Sequence, residues 1–413
     1  MEENKKETIK DRINCCRNGP KVWCIKYFFE GQMKRDDEDN EEFIRGEHFG
    51  GRSKFLKKYR RIIAVLIPFL IVEFLWFSYA IQHSIWEKFT TGYTMTLTMI
   101  FGSIIAGMTS EGGGAVAFPV MTLLLKIDPV KAKDFSLLIQ SCGMSCASFS
   151  IFFMKVQVEY NSIIFCSIGA IGGGIFGYEF VDKKLTAAQK KMLFVCIWFT
   201  FAFSLFLLNF RKKRKTFRQI VNLQWWTYPI LLLTGFVGGI FTSFTGSGVD
   251  ICSFSILTLL FRVSEKVATP TSVVLMAFNS FFGVFWRNFI HEGISTVTWD
   301  YFLVCAPIVV VGAPIGSLFG THFHRLVLAA LVYIVDVASI VTAFIIIKPT
   351  GSLLGLSLGA IGAGFIFFLA ITKIGDKLLK SLESNFINVE KNTTELNNVE
   401  NSNQLQVVTN SDI

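Results

Sequence analysis

Ser110-Glu-Gly-Gly-Gly114 interrupts one long apolar stretch of the chain, and Thr245-Gly-Ser-Gly248 interrupts another in its second half. Consecutive glycines weaken a helix, because glycine loses more backbone freedom on folding than any other residue. Inside a bilayer, each backbone group that such a break releases must find a new partner, so broken helices line cavities there. The two breaks therefore predict interrupted helices whose free N–H groups form a positive end suited to an anion.

Each break is followed by the same pattern of residues. The block from Met121 to Ser136 aligns with the block from Leu257 to Ser272 at a constant offset of 136, with five of 16 pairs identical and four conservative. Each block is also followed by glycines at four-residue steps, which lie at 169, 173 and 177 in the first half and at 312, 316 and 320 in the second. Three landmarks in the same order indicate an internal repeat.

The composition predicts an all-α, polytopic membrane protein. Hydrophobic residues make up 52% of the 413 residues and charged residues only 17%, which is too apolar for a soluble chain of this length. Several apolar runs contain about 20 residues, the number that a helix needs to cross the hydrocarbon core. We count 12 segments, of which 114–126 and 248–262 either cross the bilayer or re-enter it. Five segments in each repeat, an odd number, predict that the second repeat is inverted; re-entry would change that count.

The charge distribution argues against a nucleic-acid-binding protein. The net charge is +9, but the basic residues cluster at 52–61 and 211–218, next to apolar runs. The positive-inside rule places such clusters in the cytoplasm, and no soluble domain is visible that could present a nucleic-acid-binding face. The basic loop around Lys183 and Lys190 then falls on the opposite side, against the rule.

These patterns divide the chain into seven parts. We expect a disordered, polar cytoplasmic leader, a basic flank with the first membrane helix, repeat 1, a basic cytoplasmic loop, repeat 2, a last membrane helix and a disordered cytoplasmic tail. Their respective bounds are 1–51, 52–91, 92–210, 211–224, 225–347, 348–375 and 376–413. We expect a multi-pass protein of the plasma membrane that contacts lipid; the sequence leaves a homo-oligomer open.

The candidate binding residues lie at the two breaks and on the helices that follow the repeated blocks. At these positions backbone N–H groups or polar side chains could meet a small anionic solute. They are Thr109, Ser110, Gly112, Gly113, Gly114, Thr245, Gly246, Ser247, Gly248, Gln140 and Asn279. The alternative for the glycines is close helix packing, and for the two amides a structural hydrogen bond.

Acidic residues within apolar runs are costly, so each one needs a reason. Glu111 and Asp250 adjoin the breaks and are candidate coupling sites for a proton or cation; a local ion pair is the alternative. Asp336 could pair with His322, His324 or Arg325 near a helix end. Arg287 could attract an anion at the mouth of the cavity. No residue is predicted to be catalytic or to bind a metal or cofactor.

The repeated pattern resembles the TauE/SafE family of sulfite and organosulfonate exporters. Gly107, the Gly112–Gly114 run and Pro119 carry the resemblance in the first half, and Gly239, Gly246, Gly248 and the 268–272 segment carry it in the second. It covers 90–372. The sequence departs from the family pattern in three places: Glu111 replaces a small residue beside the glycines, Ser253 stands where the second half would resemble Pro119, and Asp250 adds a carboxylate in the second break. The resemblance implies export of sulfite or a small sulfonate, coupled to a proton gradient.

The residues alone leave other classes open. An anion channel would share the helices and the polar breaks, and a membrane scaffold or sensor would share the helices. An intramembrane enzyme is less well supported: the His291-Glu motif lacks the second histidine of a zinc-binding helix, and Thr245–Gly248 is not a nucleophile elbow. The leading hypothesis is a secondary transporter that exports a small anion by alternating access.

Overall fold

A computed structural model describes residues 51–210, 215–221, 223–291 and 293–409. These residues are 85% helical and contain no strands. We number the α-helices in chain order. Their bounds are α1 Gly51–Gln82, α2 Phe89–Met108, α3 Gly114–Pro119, α4 Pro129–Phe153, α5 Tyr160–Phe176, α6 Ala187–Phe210, α7 Thr227–Thr245, α8 Val249–Ser255, α9 Glu265–Phe285, α10 Thr296–His322, α11 Arg325–Ile347 and α12 Gly351–Thr409.

Ten of the helices in the described part of the chain are long and apolar enough to cross a membrane, which makes this an integral, multi-pass membrane protein. The two exceptions follow the breaks. With the π-helical turns that continue them, α3 and α8 form the apolar segments Gly114–Leu124 and Val249–Leu260. At 1.5 Å per residue these segments are about 16–18 Å long, roughly half the hydrocarbon thickness. Each segment is too short to cross the bilayer alone, which favours re-entry, one of the two alternatives that the sequence left open for 114–126 and 248–262.

Contacts between helix ends define the two ends of the bundle. At the Arg60 end, the Arg60 side chain donates to the Phe153 carbonyl at the end of α4, and Arg61 contacts His322 at the end of α10. At the Asp182 end, Asp182 just after α5 forms ion pairs with Lys133 at the start of α4 and with Lys190 at the start of α6. Helices α1, α4, α5 and α6 thus alternate in direction.

The segments around the breaks form two hairpins. Helix α2 runs parallel to α10, because Thr96 bonds to the Val304 carbonyl and Gly107 packs on Ala313. Since α10 starts at the Asp182 end, α2 enters there, and α3 leads back to the start of α4 at the same end. Helix α7 runs parallel to α5, and α8 leads back to the start of α9 at the Arg60 end.

The two hairpins thus enter from opposite ends, and three long helices complete each repeat, with α12 following repeat 2. Helices α4 and α9, the first after each hairpin, run antiparallel: Ser280 bonds to Gln140, and Arg287 to Asp134. If each hairpin re-enters, each repeat crosses the membrane three times instead of five. Three is also an odd number, so the two repeats would still be inverted relative to each other. These contacts support the expected inversion, which we retain as a proposal.

The repeated blocks share backbone geometry at the offset of 136. Lys126 and Arg262 both have φ of 57°. The π-helical turns Val120–Leu124 and Ile256–Leu260 end in equivalent hydrogen bonds, Leu125 N–H to Val120 and Phe261 N–H to Ile256. The agreement of these local features at one fixed offset supports the internal repeat.

The four-residue glycine ladders form packing surfaces, as their spacing predicts. A Cβ added at Gly173 would lie 1.9 Å from the Phe236 carbonyl oxygen on α7, and one added at Gly316 would lie 2.2 Å from the Ile104 oxygen on α2. Each ladder therefore brings a helix of one repeat into backbone contact with the hairpin of the other repeat.

The structure describes the expected N-terminal leader and C-terminal tail to different extents. The leader 1–51 lies outside the described residues except for Gly51. Helix α12 continues to Thr409, whereas the sequence predicted an irregular tail from residue 376. Arg262, which lies in the second repeated block just before α9 begins, forms an ion pair with Asp376, and this places that part of α12 at the Arg60 end.

Candidate functional site

The first break is a buried turn between α2 and α3. Thr109 and Ser110 are 4% exposed and Glu111 is fully buried. The Thr109 hydroxyl donates to the Ile105 carbonyl and accepts the Glu111 N–H, so one side chain closes the end of α2. Gly112 has a φ of 74°, a left-handed conformation that glycine adopts readily.

The second break repeats this arrangement between α7 and α8. The Thr245 hydroxyl donates to the Phe241 carbonyl and accepts the Ser247 N–H, at the offset of 136 from the bonds of Thr109. Gly246 supplies the left-handed residue here, with a φ of 85°. The two breaks thus share one local structure, in which a threonine hydroxyl bonds both to the last turn of one helix and to the turn that leads to the next.

Helix α4 brings the two breaks together. A Cβ added at Gly114 would lie 2.3 Å from Ser136 Oγ, and one added at Gly246 would lie 2.9 Å from Ser136 Cβ. Ser136 thus touches both breaks, and it lies five residues from the middle of Pro129–Phe153, or about 8 Å along the helix. The breaks meet near the mid-depth of the bundle.

The two candidate amides differ in their hydrogen bonds. Gln140 is fully buried; its Nε2 donates to Ser136 Oγ at 3.2 Å and its Oε1 accepts from Ser280 at 3.1 Å. Asn279 Nδ2 donates to the Leu275 carbonyl at 2.7 Å, but its buried Oδ1 has no hydrogen-bond partner. Gln140 joins α4 to α9 beside the first break, whereas Asn279 keeps an acceptor free.

Glu111 faces Asp336 on α11, which the sequence suggested as a partner of His322, His324 or Arg325. The two carboxyl groups interact directly, and His322 instead contacts Arg61 at 3.0 Å. Neither oxygen of Glu111, nor Asp336 Oδ2, has a hydrogen bond of regular geometry. Two buried acidic groups therefore lie against each other without a well-formed hydrogen bond that would stabilise their negative charge.

Asp250 adds a third carboxyl group from the second break. It is 1% exposed and accepts the Ser247 hydroxyl at 2.8 Å. In the described part of the chain, no group of three or more His, Cys, Asp or Glu side chains has the arrangement that could hold a metal ion. Three buried carboxyl groups therefore lie at the breaks or against them, and we call Glu111, Asp250 and Asp336 the acidic cluster.

Arg287 does not face an open mouth. Its Nε and Nη2 donate to the two carboxylate oxygens of Asp134, both at 2.9 Å, and the arginine and aspartate side chains are only 9% and 3% exposed. Asp134 is next to Lys133, which pairs with Asp182. The predicted anion attractor is instead part of a buried ion-pair network at the Asp182 end.

Two cavities adjoin the helices of the site. The larger, about 590 Å³, is a groove lined mostly by apolar residues of α9, and none of the predicted site residues lines it. The smaller lies between α5, α7 and α9, and Asn279 and Tyr178 line it. We regard the smaller one as the chemically relevant cavity, because it combines polar side chains with proximity to the second break.

Sequence reasoning overlooked three of the residues that the structure brings to this region: Ser136, Tyr178 and, as a partner of Glu111, Asp336. Ser136 occupies an identical position of the repeated blocks, Ser272 being its equivalent, so the alignment could have singled it out. Asp336 is an isolated carboxylate in an apolar run, which marks it as costly, but its partner lies on a helix far away along the chain. Tyr178 gave no signal, because a single aromatic residue carries little information in an aromatic-rich chain.

The chain matches one family model. Residues 55–198 and 95–343 match the sulfite exporter TauE/SafE family, so the matches together span more than half of the 413 residues. The resemblance seen in the sequence is confirmed by this match. No curated protein and no solved structure matches the chain.

Proposed function

Because the chain belongs to the TauE/SafE sulfite exporter family, we propose that it exports a small anion, such as sulfite or an organosulfonate, as a secondary transporter. The family implies a membrane anion transporter. The observation that carries the more detailed proposal is the meeting of two equivalent breaks beside Ser136, with buried carboxyl groups around them. A site at mid-depth between two repeats is the arrangement that alternating access requires.

We propose that the acidic cluster carries the coupling proton. Ionising Glu111 and Asp336 together would place two like charges side by side in a buried environment, which is unfavourable unless a proton is shared. An anion at the second break would likewise be repelled by ionised Asp250. Binding of the anion and binding of a proton would therefore favour each other, as symport requires, and net export follows where the outward anion gradient exceeds the opposing proton gradient.

Alternating access needs a seam that can open at either end, and the seam between α4 and α9 is asymmetric. At the Asp182 end it is held by the Asp134–Arg287 ion pair, and Glu179 and His291 form a second pair nearby at 2.8 Å. At the Arg60 end, an apolar cluster that includes Met144 packs between the helices. We propose that the Asp182 end is the closed end of the pathway in this conformation.

The transport proposal is tested with purified protein in liposomes. Sulfite uptake driven by a pH gradient and exchange of sulfite without a gradient are measured separately, for the wild type and for Glu111→Gln, Asp250→Asn and Asp336→Asn. We expect the variants to retain exchange while gradient-driven accumulation fails. Flux that follows voltage in both directions without coupling would indicate a channel, and the absence of any anion flux would count against transport. Equal loss of exchange and accumulation would contradict a coupling role.

The orientation is also a proposal. Phe210 ends α6 at the Arg60 end, where Asp376 of α12 also lies, so the basic segment 211–218 and the tail share one side with α1's start. The positive-inside rule makes that side cytoplasmic. Single cysteines at Lys215 and Ser384 should react with an impermeant thiol reagent from the cytoplasm, and one at Lys183 only from outside. Labelling of Lys215 and Ser384 from opposite sides would overturn this topology.

A further inference from the structure

The small cavity between α5, α7 and α9 lies beside the second break. Thr242 and Val249, from the helices on either side of that break, form part of its wall. It has about 10 Å³ of space for the centre of a water-sized group, which is room for about one such group. Its other lining residues are Ala170, Gly174, Tyr178, Gly239, Asn279, Phe282 and Gly283.

Two unpartnered polar atoms belong to the side chains that line this cavity. Tyr178 is 2% exposed and its hydroxyl has no hydrogen-bond partner. Asn279 is 5% exposed, and its Oδ1 is also without a partner while its Nδ2 is engaged by Leu275. A buried polar atom without a protein partner is unfavourable, so a donor and an acceptor at one cavity indicate that a polar species, either a water molecule or a polar ligand, occupies it.

The charges next to Tyr178 favour an anion. The Lys133 ammonium group lies 5.4 Å from the centre of the Tyr178 ring. It belongs to the buried network at the Asp182 end, in which three basic side chains share two carboxylates. The basic members are Lys133, Lys190 and Arg287, and the acidic ones are Asp134 and Asp182. One positive charge is therefore in excess, and a singly charged anion would balance it.

We propose that this cavity is the binding subsite for a small, singly charged oxyanion that keeps one proton, the class to which hydrogen sulfite belongs. The Tyr178 hydroxyl donates to an unprotonated oxygen, and Asn279 Oδ1 accepts the proton of another. The inference rests on the proposed transport function and adds the place and protonation state of the solute. The cavity as it stands encloses about one oxygen-sized group, so the surrounding helices separate to admit the whole ion.

This placement puts the anion site, in the cavity, beside the proposed proton site, in the acidic cluster. Val249 lines the cavity and precedes Asp250, so the anion binds one residue away from the acidic cluster. An ionised Asp250 would oppose the anion, and a protonated one would not. The cavity thus holds the solute while the acidic cluster holds the proton.

Two substitutions test the subsite. Tyr178→Phe removes only the hydroxyl, and Gly174→Ala narrows the cavity without a clash, because the new Cβ would lie 3.5 Å from Phe282. The matched controls are Tyr333→Phe, whose hydroxyl accepts from Asn209 outside the cavity, and Gly172→Ala on the outer face of α5. We expect both test variants to raise the KM for sulfite roughly tenfold, with kcat and thermal midpoint close to wild type, and the controls to leave KM unchanged.

Binding to detergent-purified protein gives a second readout that does not depend on transport. Sulfite should raise the thermal midpoint of the wild type and of Tyr333→Phe, but raise that of Tyr178→Phe much less. A wild-type KM and a wild-type thermal shift in Tyr178→Phe would overturn the subsite while leaving transport intact. Stabilisation by chloride equal to that by sulfite would overturn the oxyanion class. A protein that binds sulfite through Tyr178 but moves no anion would instead refute the transport function.

Discussion

Three consecutive glycines of α5 offer a sharp test of how the two repeats are held together. Gly173 is buried against α7, and an added Cβ would lie 1.9 Å from the Phe236 carbonyl oxygen, a backbone atom that cannot rotate away. Ordinary van der Waals contact begins at 3.4 Å, so the two helix backbones would have to move apart to restore it. Gly172 points away from this contact, and its added Cβ would lie 3.8 Å from the Phe236 ring.

The expected effects of Gly173→Ala and Gly172→Ala have opposite signs. Overpacking of this kind costs about 1–3 kcal/mol, and the upper part of that range applies where the obstacle is backbone. Alanine in place of glycine at an unobstructed helix position gains up to about 1 kcal/mol. Because both variants gain this helix propensity, they should differ by the overpacking cost alone, about 2–3 kcal/mol in unfolding free energy, in favour of Gly172→Ala.

Thermal unfolding in detergent, followed at one fixed heating rate, compares the two variants. A difference of this size corresponds to about 4–6 °C in the midpoint, using about 2 °C per kcal/mol for a large chain. The fixed rate matters because unfolding of such a protein is often irreversible. If Gly173→Ala unfolds at the same temperature as Gly172→Ala, the close backbone contact between α5 and α7 does not exist.

Two further predictions concern the ion pair of the seam and the first break. Asp134→Asn leaves Arg287 buried and unpaired, so it should lower the free energy of unfolding by about 3–5 kcal/mol. Lys88→Met is the control, because it breaks an exposed ion pair with Asp300 that is worth about 0–1 kcal/mol. Equal thermal midpoints of the two variants would contradict the burial of the Asp134–Arg287 pair. Gly114→Ala should impair liposome transport, because its Cβ would lie 2.3 Å from Ser136 Oγ and would displace that side chain, whereas Gly113→Ala, with 3.5 Å to its nearest neighbour, should retain most of it. Normal transport by Gly114→Ala would show that this approach is not part of the site.

The hydrophobic runs and the repeat determined most of the architecture from the sequence. A run of about 20 apolar residues is typical of a helix that spans a membrane, so the class of the protein follows from local composition. The break positions follow in the same way, because consecutive glycines weaken any helix. The sequence left open whether α3 and α8 cross the bilayer, since a short apolar segment after a break has the same composition whether it spans the bilayer or re-enters it.

The tertiary structure decided which side chains meet. The sequence marked Glu111, Asp250 and Asp336 as costly charges, but only packing shows that Glu111 faces Asp336 on a distant helix. The structure likewise shows that Arg287, which the sequence suggested as an anion attractor, forms an ion pair with Asp134. Local patterns report what a segment buries, because burial depends on composition and periodicity, whereas the pairing of charges depends on helix directions and registers that are fixed only when all helices pack.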